Sequence, residues 1–280
     1  MTSITSQSKV IELVTEYGNR IWTDDNYRKR SMANAQRFAD YSNYGQLPLT
    51  KFSPLHIINY QNHLRKSVSG STVNRHSVTI SSIFKFAYEM RLIKMPIPIK
   101  WMPEGKPRTF VFDDKTIVAM IAYLRKRGDD WMADMICVGA NTGMRLGEVL
   151  KIGTEAELIK DKSGLKFVYL PETKNGDSRI IPLNKPAYDS VKQLQQSVGM
   201  FTPRKFRDRW ALLKSHLRLG SGATYHALRH TAATRLVDKT NADALQVAAI
   251  LGHRSIKTTK RYVHPDKAVL HNIVSSAAIS

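Results

Sequence analysis

The chain has 280 residues, 42% of them hydrophobic, with 43 Lys and Arg against 23 Asp and Glu, a formal net charge of +20. That length suits two domains, each large enough for its own core. The charge points to a polyanionic partner, nucleic acid, because an uncompensated cationic excess costs the compact state self-repulsion.

The single cysteine, Cys137, sits in the apolar run MADMICVGA. It excludes an intrachain disulfide and fits a reducing, intracellular compartment. No window approaches roughly 18 uncharged apolar residues, so no membrane span is expected. The start, MTSITSQSKVIELV, lacks the basic opening and apolar core of a signal peptide.

Residues 1–93 read as helical. SPLHIINYQNHLRK opens with Ser53 as N-cap and Pro54 at the first helical position, and Ile57, Ile58, Tyr60, Gln61 and Leu64 follow at helical spacing. STVNRHSVTISSIFKFAYEMRLI places Val73, Ile80, Phe84 and Ala87 on one stripe and Arg75, His76 and Lys85 on the other face. Between positions 60 and 100 there are seven Lys and Arg and one acid, Glu89. A charge run is ordinarily a solvated face. On an amphipathic helix of so basic a chain it is read here as a DNA-contacting face, with Arg75, His76 and Lys85 as its candidates.

The clearest break is KMPIPIKWMPEGKPRTF. Its prolines forbid regular helix and bias the preceding residues to extended geometry. Residues 94–107 are therefore expected to link a first domain, 1–93, to a second, 108–280.

After the break, DDKTIVAMIAYLRKRG and DWMADMICVGANTG read as helices. LKFVYLPETKNGDSRIIPL changes period: Phe167, Val168 and Tyr169 have strand propensity, KNGD is a hairpin turn and SRIIPL is the return strand. Helices resume at PRKFRDRWALLKSHLRLG, with Phe206, Trp210, Leu213 and Leu217 as the apolar stripe. Arg204, Lys205 and Arg207 lie among its basic residues and are further candidates for DNA contact. The chain is expected to be mainly α with one small β-hairpin or sheet in the second domain.

Four stretches carry candidate chemistry. In NTGMRLGEVLKI, Gly143 precedes a helical pattern that puts Arg145 in a first turn with Glu148 three residues on. Lys174 lies on the hairpin turn. In YHALRHTAATRL, His226 and Arg229 share one helix face, and His230 is four residues from His226. That histidine spacing invites a zinc reading, but Ala227 stands where a zinc protease needs its general-base Glu, and no Cys or acidic third ligand is near. No metal and no cofactor are expected. In LGHRSIKTTKRYVH, His253 follows Gly252 and Tyr262 lies nine residues later.

Each stretch alone has an ordinary structural explanation: a surface arginine, a turn lysine, a packed tyrosine. Together they suit one reaction. A phosphodiester passes through a pentacoordinate state with about two negative charges, which needs fixed cations. Two arginines hold non-bridging oxygens bidentately, where a lysine is only a point charge. Histidines donate and shuttle protons near neutral pH. A lysine on a turn can protonate a leaving oxygen, and a tyrosine can attack once a cationic pocket lowers its pKa.

TGMRLGEVL, HALRH, LGH and the tyrosine nine residues after that last histidine resemble the signature boxes of the tyrosine recombinases, the phage-integrase superfamily. The resemblance covers most of the chain. Residues 1–93 resemble its helical, SAM-like core-binding domain, and residues 108–280 its mixed α/β catalytic domain. It implies that Arg145 and Arg229 bind the scissile phosphate and that Lys174 is general acid to the 5′-oxygen. By the same resemblance His226 is an acid/base group, His253 a hydrogen-bond donor and Tyr262 the nucleophile of a 3′-phosphotyrosyl bond. Glu148 and His230 are supporting residues.

The resemblance further implies double-stranded DNA as substrate, a tetramer on two duplexes, accessory DNA-bending or directionality factors, and the cytoplasm or nucleoid of a bacterial host. The tail PDKAVLHNIVSSAAIS, with Val269, Ile273 and Ala277 on one stripe, suits docking on a neighbouring subunit. The family's Asn-Pro at the end of the first domain is KMP here, and only about ten residues precede the first expected helix. A phage or mobile-element integrase is the favoured reading. A Xer-like resolvase, a type IB topoisomerase and a non-catalytic DNA-binding protein are its rivals.

Overall fold

A computed structural model of the chain describes residues 4–105, 110–171, 178–240 and 242–252. Two compact units divide it between Pro107 and Arg108. Among the described residues, no helix is long and apolar enough to cross a membrane.

The first unit is helical: α1 (Val10–Ile21), α2 (Asp25–Asp40), α3 (Pro54–Arg65) and α4 (Gly70–Glu89). Local chemistry sets these ends. Asp24 caps α2 by accepting from the Tyr27 amide at 2.6 Å, and Ser69 caps α4. At the start of α3, Pro54 follows Ser53, whose amide donates to His56 Nδ1 at 3.2 Å. Val10, Leu13, Phe38, Leu49, Ile57, Tyr60, Ile80 and Phe84 form the core, each at most 2% exposed. Phe38 makes edge-on contacts with Tyr44, Tyr60 and Phe84, a geometry that adds to simple area burial.

The described part of the proline-rich segment, 94–105, carries neither helix nor strand, and its backbone is hydrogen-bonded to this unit. Gln61 Nε2 donates to Lys100 O at 2.9 Å, and the Asn74 amide group brackets Met102, donating to its carbonyl at 2.9 Å and accepting from its N–H at 2.8 Å. Gly70 allows this approach, since a Cβ there would stand 2.4 Å from Pro103 O.

In the second unit, α5 (Asp114–Lys126) and α6 (Asp130–Thr142) lead through α7 (Leu146–Val149) into a three-stranded antiparallel sheet. Its strands are β1 (Glu157–Lys160), β2 (Lys166–Leu170) and β3 (Arg179–Pro182), in spatial order β1-β2-β3. Then come α8 (Lys185–Gln196), α9 (Pro203–His216), α10 (Tyr225–Thr240) and α11 (Ala244–Leu251). The mainly α architecture with a small sheet is as the sequence indicates. The pairing of β2 with β3 sets Val168 opposite Ile181, both buried, while the turn KNGD lies outside the described residues.

Three elements escape the sequence reading: β1, α8 and the short α11. β1 adds an outer strand whose residues are all exposed or half-buried. α8 buries only Ala187, Ser190, Val191 and Leu194, a stripe too thin to stand out beside its neighbours.

α6 is the hub of this unit. It is flanked by α5, α8 and α10 and is buried nearly all round, from Met132 to Thr142. Gly139 lets α10 approach: a Cβ there would meet the Tyr225 hydroxyl at 2.5 Å. That hydroxyl donates to Met135 O at 3.0 Å, and burial raises the Tyr225 pKa.

Candidate active site

The site begins where α6 stops. Gly143 ends the helix in the left-handed region, φ +67°, where glycine is favoured. A Cβ on it would stand 2.4 Å from Leu251 Cδ2, so the end of α6 and the end of α11 meet at this residue. The chain turns at once into α7, with Arg145 as its N-cap residue. Glu148, 6% exposed, fixes that arginine twice: its Oε2 accepts from the Arg145 amide at 2.8 Å and its Oε1 from Arg145 Nη1 at 2.6 Å. The carboxylate the sequence marks as supporting thus sets both the backbone and the guanidinium of its neighbour.

Arg229 comes from the buried side of α10 and is 2% exposed. Its Nη1 donates to Gly143 O at 2.8 Å and its Nη2 to Leu251 O at 2.7 Å. Arg145 Nη2 donates to the next carbonyl, Gly252 O, at 3.2 Å. The two arginines therefore converge on the C-terminal end of α11, where aligned peptide dipoles leave partial negative charge on the last carbonyls.

A third arginine shares this cluster. Arg179, at the start of β3, donates from Nη1 to both oxygens of Glu148 at 3.2 Å and from Nη2 to Ile250 O. The carbonyls of residues 250, 251 and 252 each accept from a different guanidinium. Burial lowers the pKa of Arg179, with the Glu148 charge opposing that shift. Sequence reasoning passes over this residue. Its one available signal is the alternation in SRIIPL: Arg179 and Ile181 share the inward face of β3.

His226 and His230 lie one turn apart on α10, their rings edge-on with centroids 4.8 Å apart. They differ in setting. His230 is 7% exposed. His226 is exposed and lines a cleft of about 690 Å³ with Leu146, Phe206, Arg207, Trp210 and Lys214. One catalytic candidate, His226, and one DNA-contact candidate, Arg207, thus border the same depression. Arg204 and Lys205 are exposed in the first turn of α9, and Lys205 Nζ donates to Met200 O at 3.1 Å.

In the first unit, Arg75 and Lys85 are exposed, and Lys85 faces Glu89 at 3.8 Å. His76 is not on that face. It is 7% exposed, and its Nδ1 is 3.0 Å from the Tyr60 hydroxyl. The physical reason is that α4 is buried on more than a single stripe: Asn74, His76, Ser77 and Thr79 are covered along with the apolar positions. His76 is a packed, hydrogen-bonded core histidine.

Lys174, His253 and Tyr262, and the tail stripe Val269, Ile273 and Ala277, lie outside the described residues. Among the described residues, no three His, Cys, Asp or Glu side chains come together as metal ligands.

This guanidinium cluster falls inside a recognised sequence family. Residues 111–268 match the model of the Phage integrase family, a span from just before α5 to beyond α11.

The chain belongs to the phage integrase family.

Within this integrase family it is 29% identical over 208 residues to a shufflon-specific DNA recombinase of Escherichia coli, covering 71% of this chain and 52% of that protein. It is 30% identical over 217 residues to a putative integrase/recombinase of Haemophilus influenzae, covering 72% and 69%. The chain thus spans about half the length of the shufflon recombinase and about two thirds of the second integrase relative. Among solved structures it resembles a lambda integrase tetramer bound to a Holliday junction, with a TM-score of 0.74 at 13% identity over 92% of this chain and 78% of that one. That likeness is one of fold.

Proposed function

We propose that this integrase-family chain is a site-specific DNA recombinase of the phage or mobile-element type, which breaks and rejoins strands through a 3′-phosphotyrosine link. The observation that carries the proposal is the convergence of Arg145 and Arg229 on the adjacent carbonyls Gly252 O and Leu251 O, in a chain whose family model runs through Tyr262. Two forked cations fixed close together suit the two non-bridging oxygens of one phosphate as charge builds on them.

In the step proposed, the Tyr262 hydroxyl oxygen attacks phosphorus and gives up its proton to His226. The bond from phosphorus to the 5′-oxygen breaks, and Lys174 supplies the proton that the leaving oxygen takes. His253 donates a hydrogen bond to the phosphate. The energy of the backbone bond stays in the tyrosyl ester, and attack by a 5′-hydroxyl of another strand reverses the step, so neither metal nor nucleotide is consumed. Arg75, Lys85, Arg204, Lys205 and Arg207 are the proposed phosphate contacts on the duplex. Those contacts position the protein and carry no sequence information themselves.

The proposed partners are double-stranded DNA bearing a core-type site, three further copies of the chain, and accessory DNA-bending or directionality factors, within the cytoplasm or nucleoid of a bacterial host. The tetramer is supported by the fold shared with the junction-bound lambda integrase.

A duplex nicked near the candidate core site traps the covalent intermediate. The expected result is a protein–DNA adduct on a denaturing gel that maps to the peptide containing Tyr262 and is missing from Tyr262→Phe, with binding retained. Binding without any adduct from the unaltered protein overturns the proposal in favour of a DNA-binding module. Relaxation of supercoiled DNA without strand exchange overturns it in favour of a topoisomerase.

A further inference from the structure

We propose that Arg179 is a positioning residue for strand cleavage, acting through Glu148 and through the end of α11. The assignment rests on the recombinase reading above.

Three observations carry it. First, one guanidinium spans two parts of the site. Nη1 is within 3.2 Å of both Glu148 oxygens, and Nη2 donates to Ile250 O. Glu148 in turn holds Arg145 at amide and guanidinium, and the end of α11 receives Arg145 and Arg229 on its next two carbonyls. Arg179 therefore connects what orients one phosphate-binding candidate to what anchors both.

Second, Arg179 is buried, 9% exposed, and its Nε–H has no hydrogen-bond partner among the described residues. Burying a guanidinium with one donor unsatisfied is costly, so its place is not explained by ordinary packing. A methionine would fill the same volume without that cost. Third, the backbone has been cut to fit it. A Cβ on Gly252 would meet Arg179 Cδ and Nε at 2.9 Å and Nη1 at 3.0 Å, so the glycine that ends α11 lies directly on the guanidinium.

A lysine cannot replace this arrangement. It is a single point charge, where the planar fork of arginine reaches the Glu148 carboxylate and the Ile250 carbonyl together. Without Arg179, Glu148 is held by Arg145 alone among the described residues, and the end of α11 keeps two of these three guanidinium contacts. Arg145 then samples orientations away from the phosphate, and a displacement on the order of an ångström at a reacting centre costs about 100-fold in rate.

The test is single-turnover cleavage of the nicked duplex at saturating full-length protein, comparing wild type with Arg179→Met, Arg179→Lys and Glu148→Gln. The expected result for Arg179→Met is a cleavage rate constant reduced about 100-fold, with DNA affinity and final adduct amplitude unchanged. Arg179→Lys falls in the same direction and serves as the variant if the methionine form does not fold. The double variant Arg179→Met with Glu148→Gln is no slower than the slower single, because both act on Arg145.

A purely structural role predicts the reverse split: reduced amplitude from fewer folded molecules, with an unchanged rate constant. That outcome, or a rate equal to wild type, overturns the assignment alone. Wild-type protein that forms no adduct overturns the recombinase reading and this assignment with it.

Discussion

Arg145 and Arg229, one the N-cap residue of a short helix and the other deep in α10, donate to neighbouring carbonyls at the end of α11, 3.2 Å to Gly252 O and 2.7 Å to Leu251 O. Two like charges held so near each other repel. Here the repulsion is opposed by the negative end of the α11 dipole and by the carboxylate of Glu148. The cluster is thus held together by the protein's own groups. Such fixed charge is what an electrostatic catalyst needs, since no reorganisation is then left for the moment of reaction.

Gly143→Ala disturbs this arrangement from beneath. The position has φ +67°, and the new methyl would stand 2.4 Å from Leu251 Cδ2. The left-handed backbone alone costs about 1–3 kcal/mol, and displacement of Leu251 adds to it. The expected outcome is a lower unfolding midpoint together with slower adduct formation. Thermal unfolding and single-turnover cleavage check it. An unchanged midpoint would contradict both the backbone strain and the contact with Leu251.

His76 makes the first unit sensitive to acid. Burial, aided by the positive charge of Arg37, depresses its pKa below the ordinary 6.5. The folded chain therefore binds fewer protons here than the unfolded chain. Stability from this group is complete above the unfolded value and is lost as pH falls from about 6.5 toward the depressed folded value. His76→Asn, whose side-chain amide stands about where Nδ1 does and does not titrate, is expected to flatten that dependence. Urea unfolding between pH 7.5 and pH 5, followed by Trp22 fluorescence in a chain whose Trp101, Trp131 and Trp210 are replaced by Phe, measures the difference; two parallel curves would reject it.

The exposed arginines at the start of α9 are expected to act on DNA affinity as a whole. Each of Arg204→Ala and Arg207→Ala should weaken binding equally on specific and unrelated duplexes. Each should also reduce the slope of log affinity against log salt by about one. Filter binding across a salt series reads both quantities. An effect confined to one sequence would place these residues at base edges instead.

The elements legible in the sequence are those whose signals are local. Ser53 and Pro54 at the start of α3, Gly143 after α6, the stripe Val73, Ile80, Phe84 and Ala87, and the pairing of Phe167–Tyr169 with the return strand all appear in the structure as patterned. Less legible are elements with thin patterns. α8 buries four small or medium residues, and β1 none. A stripe of one face also understates α4, where polar residues are enclosed with apolar ones, and that is how His76 comes to be read as exposed.

By itself the sequence determined that the chain is basic and mainly helical, and it determined which residue types stand in the family's boxes, because each of these is written in neighbouring positions. Only the tertiary structure decided that Arg179 joins Arg145, Arg229 and Glu148 at the end of α11, and that His76 turns inward. Those relations are set by how strand β3 and helices α6, α7, α10 and α11 pack in the second unit and how α3 meets α4 in the first. Contacts between residues distant along the chain leave no periodic trace in it.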